Sequence, residues 1–442
     1  MMRSLWSAVS GLNTHQLEMD VIGNNISNVN TTAFKSSATG FQDVLYQTIK
    51  NSGAPGNNRF STNADQVGLG AKMGSIFANI SKQGSAVMTN NVFDLMINGD
   101  SFFVISPDNT TQNFSRDGSF TIDAQGDLVT QNNGYYVMGV MGEGGVGDGA
   151  AVTKINVINR VAMPDKNDPT IMREVDYMAG SATEAAYMKG NIDSEDPALK
   201  EGKGLMLEIY GNDGEAYTLK FKLDNAWDED SSTFNLTLAS VVNSDGEIVA
   251  SKAADPINLV YDKHDGRLLT ADTVQVTVDG DEGVIGQFEL DLSNTTNYAS
   301  SMASHSSSVY AYKGDTEGLR KGYPEGELTG ISFGDDGSIY GRYSNGQTIK
   351  KAQIAVAEFS NAMGLEQVGN NLYAQSLNSG AAQIMDITRN GGYLNSGYLE
   401  GSNVDLAKEF TDMITTQRGF QANSRVITTS DEMLQILKGL KR

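Results

Sequence analysis

Cysteine is absent from this chain, which excludes disulfides, thiol catalysis and cysteine-ligated metals. Outside a cell such a chain must be held by packing and by neighbours. Proline is scarce at 7 residues while glycine reaches 48, a balance that suits tight β turns rather than a Pro-rich disordered linker. The histidines, His15, His264 and His305, lie far apart with no His or Cys at ligand spacing, so zinc is not expected. No window approaches the ~18 apolar residues of a membrane span, and mean hydropathy is -0.31, so no membrane insertion is expected. Residues Met1 to Ser10 lack the basic start and continuous apolar run of a secretory signal, so a cleaved leader is not expected.

Positive charge is also in deficit. The formal charge is -22, with the first 50 residues neutral and residues 401–442 at +1, so the middle carries -23. Nucleic acid is excluded as an expected partner, because phosphate binding needs a basic surface. An acidic middle between near-neutral ends fits solvated outer domains on a packed inner assembly.

Catalytic constellations are missing too. Gly142-Glu-Gly144-Gly-Val-Gly147 matches G-x-G-x-x-G formally, but Asp148 to Val152 do not open the helix that a dinucleotide site requires. The acidic runs Asp224–Asp230 and Asp279–Glu282 lack EF-hand spacing and read as solvated turns. No G-x-S-x-G elbow occurs. The expectation is no catalytic residue, no cofactor and no metal: not an enzyme.

What is present lies at the two ends. Leu5, Leu12, Met19 and Ile26 recur every seven residues, with Val9 and Gln16 between them. Leu406, Met413, Phe420, Ile427 and Leu434 repeat the pattern at the C-terminus, with Phe410 on the same helix. Seven is the period of a coiled-coil seam, and a lone helix cannot bury so narrow a stripe. The ends therefore need each other or other copies of the chain.

Between them the pattern is Gly-rich β. Phe93–Ile97 and Phe102–Ile105 flank Asn98-Gly99-Asp100, a hairpin signal, and Phe41–Tyr46 suggests a short helical turn. Strands are expected at Leu205–Tyr210, Tyr217–Leu223, Phe234–Val242 and Val274–Val278. Ser402 or Asn403 is the expected N-cap of a helix from Val404, with Asp405 in its first turn. The fold class is α+β, mostly β, with terminal helices in a coiled-coil-like inner domain and two or more β-rich domains inserted between them. The expected divisions are a helical domain of 1–30 plus 403–442, a turn-rich linker of 31–71, and an inner β domain of 72–158 plus 300–390. An inserted β domain of 159–299 and a connector of 391–402 complete it. Ser300–Ser308 and the stretch near Arg160–Asp168 are the expected hinges.

Ala8-Val-Ser-Gly-Leu12 and Asp20-Val-Ile-Gly23-Asn24-Asn25-Ile-Ser-Asn28-Val-Asn30 then carry a specific resemblance. So do Gly397-Tyr-Leu-Glu-Gly-Ser-Asn403-Val-Asp405-Leu-Ala407 and Gln417-Arg418-Gly-Phe420-Gln421-Ala-Asn423. The chain resembles the bacterial flagellar rod and hook axial protein family at both ends. Phe114–Phe120, Tyr340–Gln347 and Ile354–Leu365 resemble its hook branch. Ala33 stands before Phe34-Lys35 where glycine is usual, and Phe420 where tyrosine is common.

The resemblance implies a self-assembling helical tube with both termini innermost and the insertion outermost. It implies a bending joint that passes torque from rod to filament and encloses the export channel. Leu5, Val9, Leu12, Met19, Ile26, Leu406, Phe410, Met413, Phe420, Ile427 and Leu434 would form the inner tube, its ends ordering only on assembly. Implied partners are further copies of the chain, the distal rod, hook cap and hook–filament junction proteins, the hook-length control protein and the flagellar type III export apparatus. Phe41 and Leu45 resemble a short export segment. The implied location is the extracellular hook adjoining the basal body, reached without a cleaved signal. The alternatives are a distal rod protein of the same family, disfavoured by length, and a secreted β-rich adhesin, which would not need heptad ends.

Overall fold

The computed structural model describes residues 2–53, 60–61, 63–147, 150–164, 170, 172–225, 232–250, 256–278, 285–299 and 305–439. The fold is α+β and mostly β, with long helices only at the two ends. The chain divides into two compact units: residues 1–158, 331–341 and 349–442 form one, residues 159–330 and 342–348 the other. The second unit takes in residues 300–330, which sequence reading grouped with the inner β domain. The reason is pairing: Tyr310–Lys313 lies antiparallel to Ala185–Ile192, deep in the insertion.

In the first unit, helix Met2–Ser27 packs against helix Leu406–Gly439. The C-terminal helix starts later than the sequence suggested. Asp405 is its cap rather than a first-turn residue, its Oδ1 accepting from the amides of Ala407 (3.0 Å) and Lys408 (3.3 Å). Residues 31–71, expected as turns, instead enter a two-stranded ribbon. Ser37–Asp43 pairs with Ala71–Ala78, and Tyr46–Lys50 with Asp65–Gly68. Phe41 therefore lies in a strand and not in a helical turn.

The β core of this unit is built on Phe102–Ser106, buried throughout. Side chains alternate along a strand, so Phe103 and Ile105 join Leu95, Phe120, Val137 and Ile354 on one face. Phe102 and Val104 join Ile80, Phe114, Phe359 and Tyr373 on the other. The expected hairpin across Asn98-Gly99-Asp100 does not form. Gly99 makes the turn at φ 131°, but Leu95–Asn98 pairs with Tyr393–Ser396, and Phe102–Ser106 with Asn113–Ser115 and Tyr136–Met141. Apolar alternation fixed the strands; it carried no information on which partner each would find.

The second unit packs a meander of Lys203–Tyr210, Ala216–Asn225 and Thr233–Val242 around one apolar core. Tyr217, Leu219, Phe221 and Leu223 point inward at period two. A further sheet orders Thr273–Thr277, Gln287–Asn297, Ala185–Ile192 and Tyr310–Lys313, with Gln287–Asn297 parallel to Ala185–Ile192. Of the expected hinges, 165–169 and 300–304 lie outside the described residues, as do most of the acidic runs at 224–230 and 279–282. Arg160–Pro164 is a strand paired with Met172–Met178, and residues 305–308 are bonded to the loop after Ala185–Ile192.

Candidate assembly surface and its buried anchor

The two terminal helices meet along an unexpected seam. Asn25 Nδ2 donates to Glu409 Oε2 at 3.2 Å. A Cβ on Gly11 would lie 2.6 Å from Asn423 Nδ2, and one on Gly419 would lie 2.7 Å from His15 Nε2. From Gly11 to His15 to Asn25 the contacts advance by the same steps as they retreat from Asn423 to Gly419 to Glu409, so the pair is antiparallel and in register. Ala8, Thr14, Ile22 and Asn25 are buried on one helix, Glu409, Thr416 and Ser430 on the other. The seam keeps a seven-residue rhythm, but apart from Ile22 small and polar residues carry it. Glycine opposite a larger side chain lets the backbones approach closely.

The apolar stripe consequently lies to the side of this seam. Leu5, Leu12, Met19 and Ile26 are half-buried, as are Met413 and Ile427. Val9, Leu406, Phe410, Phe420 and Leu434 are exposed, Phe410 by 50%. Ile414, Val426, Ile436 and Leu437 add to that exposed surface. Gln417, Arg418 and Gln421 are exposed on the C-terminal helix, while Asn423 is half-buried against Gly11.

A second apolar surface escaped sequence reading: the ribbon. Both faces of Tyr46–Lys50 and Asp65–Gly68 are exposed, including Leu45 (66%), Tyr46, Ile49 and Val67. An isolated two-stranded ribbon is marginally stable in water, so such a surface calls for a partner. The alternation Tyr46, Thr48 with Ile49 and Val67 was the available signal, but polar neighbours masked it. Phe41 is exposed and meets His15 edge-on, ring centroids 6.3 Å apart.

The roots of the helices are fixed by a buried polar anchor. Lys35 Nζ donates to Glu400 Oε1 at 2.7 Å and to the Lys82 carbonyl at 2.9 Å. Arg116 Nη1 lies 3.8 Å from Glu400 Oε2, and its guanidinium sits 4.9 Å over the Phe102 ring. Side-chain exposures of Lys35, Arg116 and Glu400 are 1%, 2% and 0%. Burial pulls the Lys35 ammonium below the lysine range against the opposing attraction of Glu400, and depresses Arg116 likewise. Two cations around one carboxylate leave Arg116 Nε and Nη1 and Glu400 Oε2 without hydrogen-bond partners.

Of the family-motif residues, Asn403 reaches this anchor through the Lys82 carbonyl that also accepts from Lys35. Asn403 accepts from Ser36 N (2.7 Å) and donates to the carbonyls of Asn79 and Lys82 (both 2.9 Å). Asn25 exchanges bonds with the backbone of Ser37, donating at 2.8 Å and accepting at 2.9 Å. Asn28 bonds back to Asn24. Phe34 is half-buried, and nothing lies within 4 Å of a Cβ placed on Gly23. Ala33 adopts φ 55° while its amide donates to Glu400 O at 2.8 Å. An alanine thus holds a left-handed conformation that favours glycine, at a cost of about 1–2 kcal/mol. Among the described residues no group of three or more potential metal ligands comes together.

Three family models match the chain: one described as flagella basal body rod protein over residues 5–35, and the flagellar hook protein FlgE/F/G D1 domain over 96–168. The third, flagellar basal body rod FlgEFG protein C-terminal, covers 395–440. Together they define an axial protein of the bacterial flagellum. The flagellar hook protein FlgE of Treponema pallidum is 34% identical over 482 aligned residues, spanning all of both chains. That of Borreliella burgdorferi is 33% identical over 470, again end to end, and that of Escherichia coli 28% over 447, covering 98% and 99%. A basal-body rod protein, FlgG of Bacillus subtilis, is 27% identical over 444. The chain belongs to the flagellar hook protein family.

Proposed function

We propose that this chain is the structural subunit of the flagellar hook, polymerising into a flexible tube that carries torque from rod to filament. The observation that carries the reading is the apolar surface left beside a polar helix seam. Each Leu, Phe or Met buried by a neighbour contributes ~1.5–3 kcal/mol. Within one chain, Gly11, Asn25, Glu409, Thr416 and Gly419 offer little of that burial, so the ends order fully only when other copies cover Leu5, Val9, Leu12, Phe410 and Phe420. In this reading both termini lie innermost around the export channel, with the acidic insertion outermost.

The finer partners follow from the same reading: the distal rod protein below, the junction protein above, the cap during growth, the length-control protein, and the type III export apparatus. Phe41 and Leu45 are exposed and so accessible for an export contact. Electron microscopy of the polymerised chain tests the proposal. Curved tubes support it; straight tubes favour a rod subunit, and failure to polymerise overturns it.

A further inference from the structure

Arg116 follows the strand Asn113–Ser115 as a buried cation whose hydrogen bonds are not made. Its side chain is 2% exposed, and Nε and Nη1 find no partner among the described residues. A guanidinium presents five N–H donors and accepts nothing, so what it lacks is an acceptor. The carboxylates nearby do not serve. Glu400 Oε1 is taken by Lys35 Nζ and the Gly84 amide, and its Oε2 stops 3.8 Å from Nη1, beyond hydrogen-bond reach. Glu358 accepts from Asn390 Nδ2. Asp100 is exposed and attracts the guanidinium only through space, less strongly than Glu400 and against the larger effect of burial. Lys35, Arg116 and Glu400 together leave one positive charge in excess, where burial makes it costly.

The same guanidinium lines a cleft of about 250 Å³, together with Asp100, Glu358, Phe359 and Met363. The Phe359 ring is buried against Phe102 and Phe114, whereas Met363 is exposed. Apolar side chains around a buried arginine are the anatomy of an interface hot spot. Asp100 and Glu358 repel a free anion from this cleft, so a carboxylate enters readily only when the rest of a contact carries it in. The chain itself offers such groups in excess, with 54 Asp and Glu against 32 Lys and Arg. We infer that the Arg116 cleft is a socket for an aspartate or glutamate side chain of a second copy of this chain. The inference rests on the polymerisation proposed above and adds to it a contact away from the helix stripe. The incoming carboxylate accepts from the arginine fork and neutralises the excess charge.

Polymers mixed from two batches of the full chain test this, one labelled with ¹⁵N in arginine and the other with ¹³C in the aspartate and glutamate carboxyls. Solid-state dipolar recoupling then reads contacts between copies alone. A guanidinium nitrogen lies within about 4 Å of a labelled carboxyl carbon, and Arg116→Met loses that contact. Acetate replacing chloride at fixed ionic strength competes for the socket. At ten times its dissociation constant it raises the wild-type critical concentration about elevenfold and leaves that of Arg116→Met unmoved. Asp100→Asn, a change at an exposed position, removes a repulsion from the cleft and lowers the critical concentration about twofold. Polymer without the contact overturns the socket alone, as does a contact that persists in Arg116→Met. Acetate binding at Arg116 with no contact between copies overturns the second copy as occupant, and a higher critical concentration in Asp100→Asn overturns the charge argument. A wild-type chain that forms no polymer even in chloride overturns the hook reading itself.

Discussion

Replacing Glu400 with glutamine removes one charge from the anchor and almost no volume. Among the described residues Glu400 is the one carboxylate accepting from Lys35, and the amide of Gly84 donates to its Oε1 at 2.8 Å. Glutamine can still accept from Gly84, but its amide nitrogen then faces Lys35 or Arg116, donor against donor. Breaking a buried ion pair from one side costs ~3–5 kcal/mol, because the remaining charge stays desolvated. Here two cations remain, and Arg116 already lacks hydrogen-bond partners at Nε and Nη1. A domain is stable by only ~5–15 kcal/mol, so the loss takes from about a fifth to all of that margin. Denaturant unfolding of the unpolymerised chain measures it, and a cycle with Lys35→Met isolates the pair. The double variant recovers part of the loss, with a coupling of about 1.5–3 kcal/mol. A Glu400→Gln penalty under about 1 kcal/mol, or strictly additive single changes, would refute the argument that this carboxylate holds the helix roots.

Further expectations concern the core, the assembly surface and pH. A Cβ on Gly118 would sit 1.8 Å from the Leu95 carbonyl oxygen, a backbone atom that cannot rotate aside. Gly118→Ala should therefore destabilise the first unit by about 4 kcal/mol or prevent folding, and wild-type-like urea unfolding would contradict the close approach. Phe410→Ser should leave monomer unfolding within about 0.5 kcal/mol of wild type while raising the critical concentration for polymerisation at least tenfold; sedimentation of polymer against monomer decides it. Asp117 is pushed above the ordinary aspartate value by burial, with Asp94 adding to it, against donors from Ser119 and Asn132. The folded state thus holds that proton more tightly, so the contribution is full below the ordinary value and lost as pH rises through the folded one. Urea midpoints measured from about pH 4 to about pH 7 should fall with that component in wild type and lose it in Asp117→Asn; an identical slope in both excludes Asp117 as its source.

The ends of this chain were legible because helical periodicity is local: sevenfold recurrence over 26 and 34 helical residues marks an amphipathic helix whatever it packs against. The inserted strands were legible for the same reason, as the inward Tyr217, Leu219, Phe221 and Leu223 illustrate. The motif residues were visible through resemblance, but not the anchor they build. Lys35, Arg116 and Glu400 lie hundreds of positions apart at the extremes, and a buried charge in sequence looks the same as a solvated one.

Tertiary structure alone decided three things. It chose the seam, because the closest helix approach goes where Gly11 and Gly419 admit Asn423 and His15, not where the largest apolar residues recur. It chose strand partners, sending Leu95–Asn98 to Tyr393–Ser396 because long-range pairing is set by the whole core rather than by a local turn. It also kept Ala33 left-handed, since the bond from its amide to Glu400 O fixes the backbone that glycine would otherwise favour. Sequence by itself determined that this chain has apolar ends in need of partners. Only the folded chain determined which apolar residues its own seam leaves for those partners to cover.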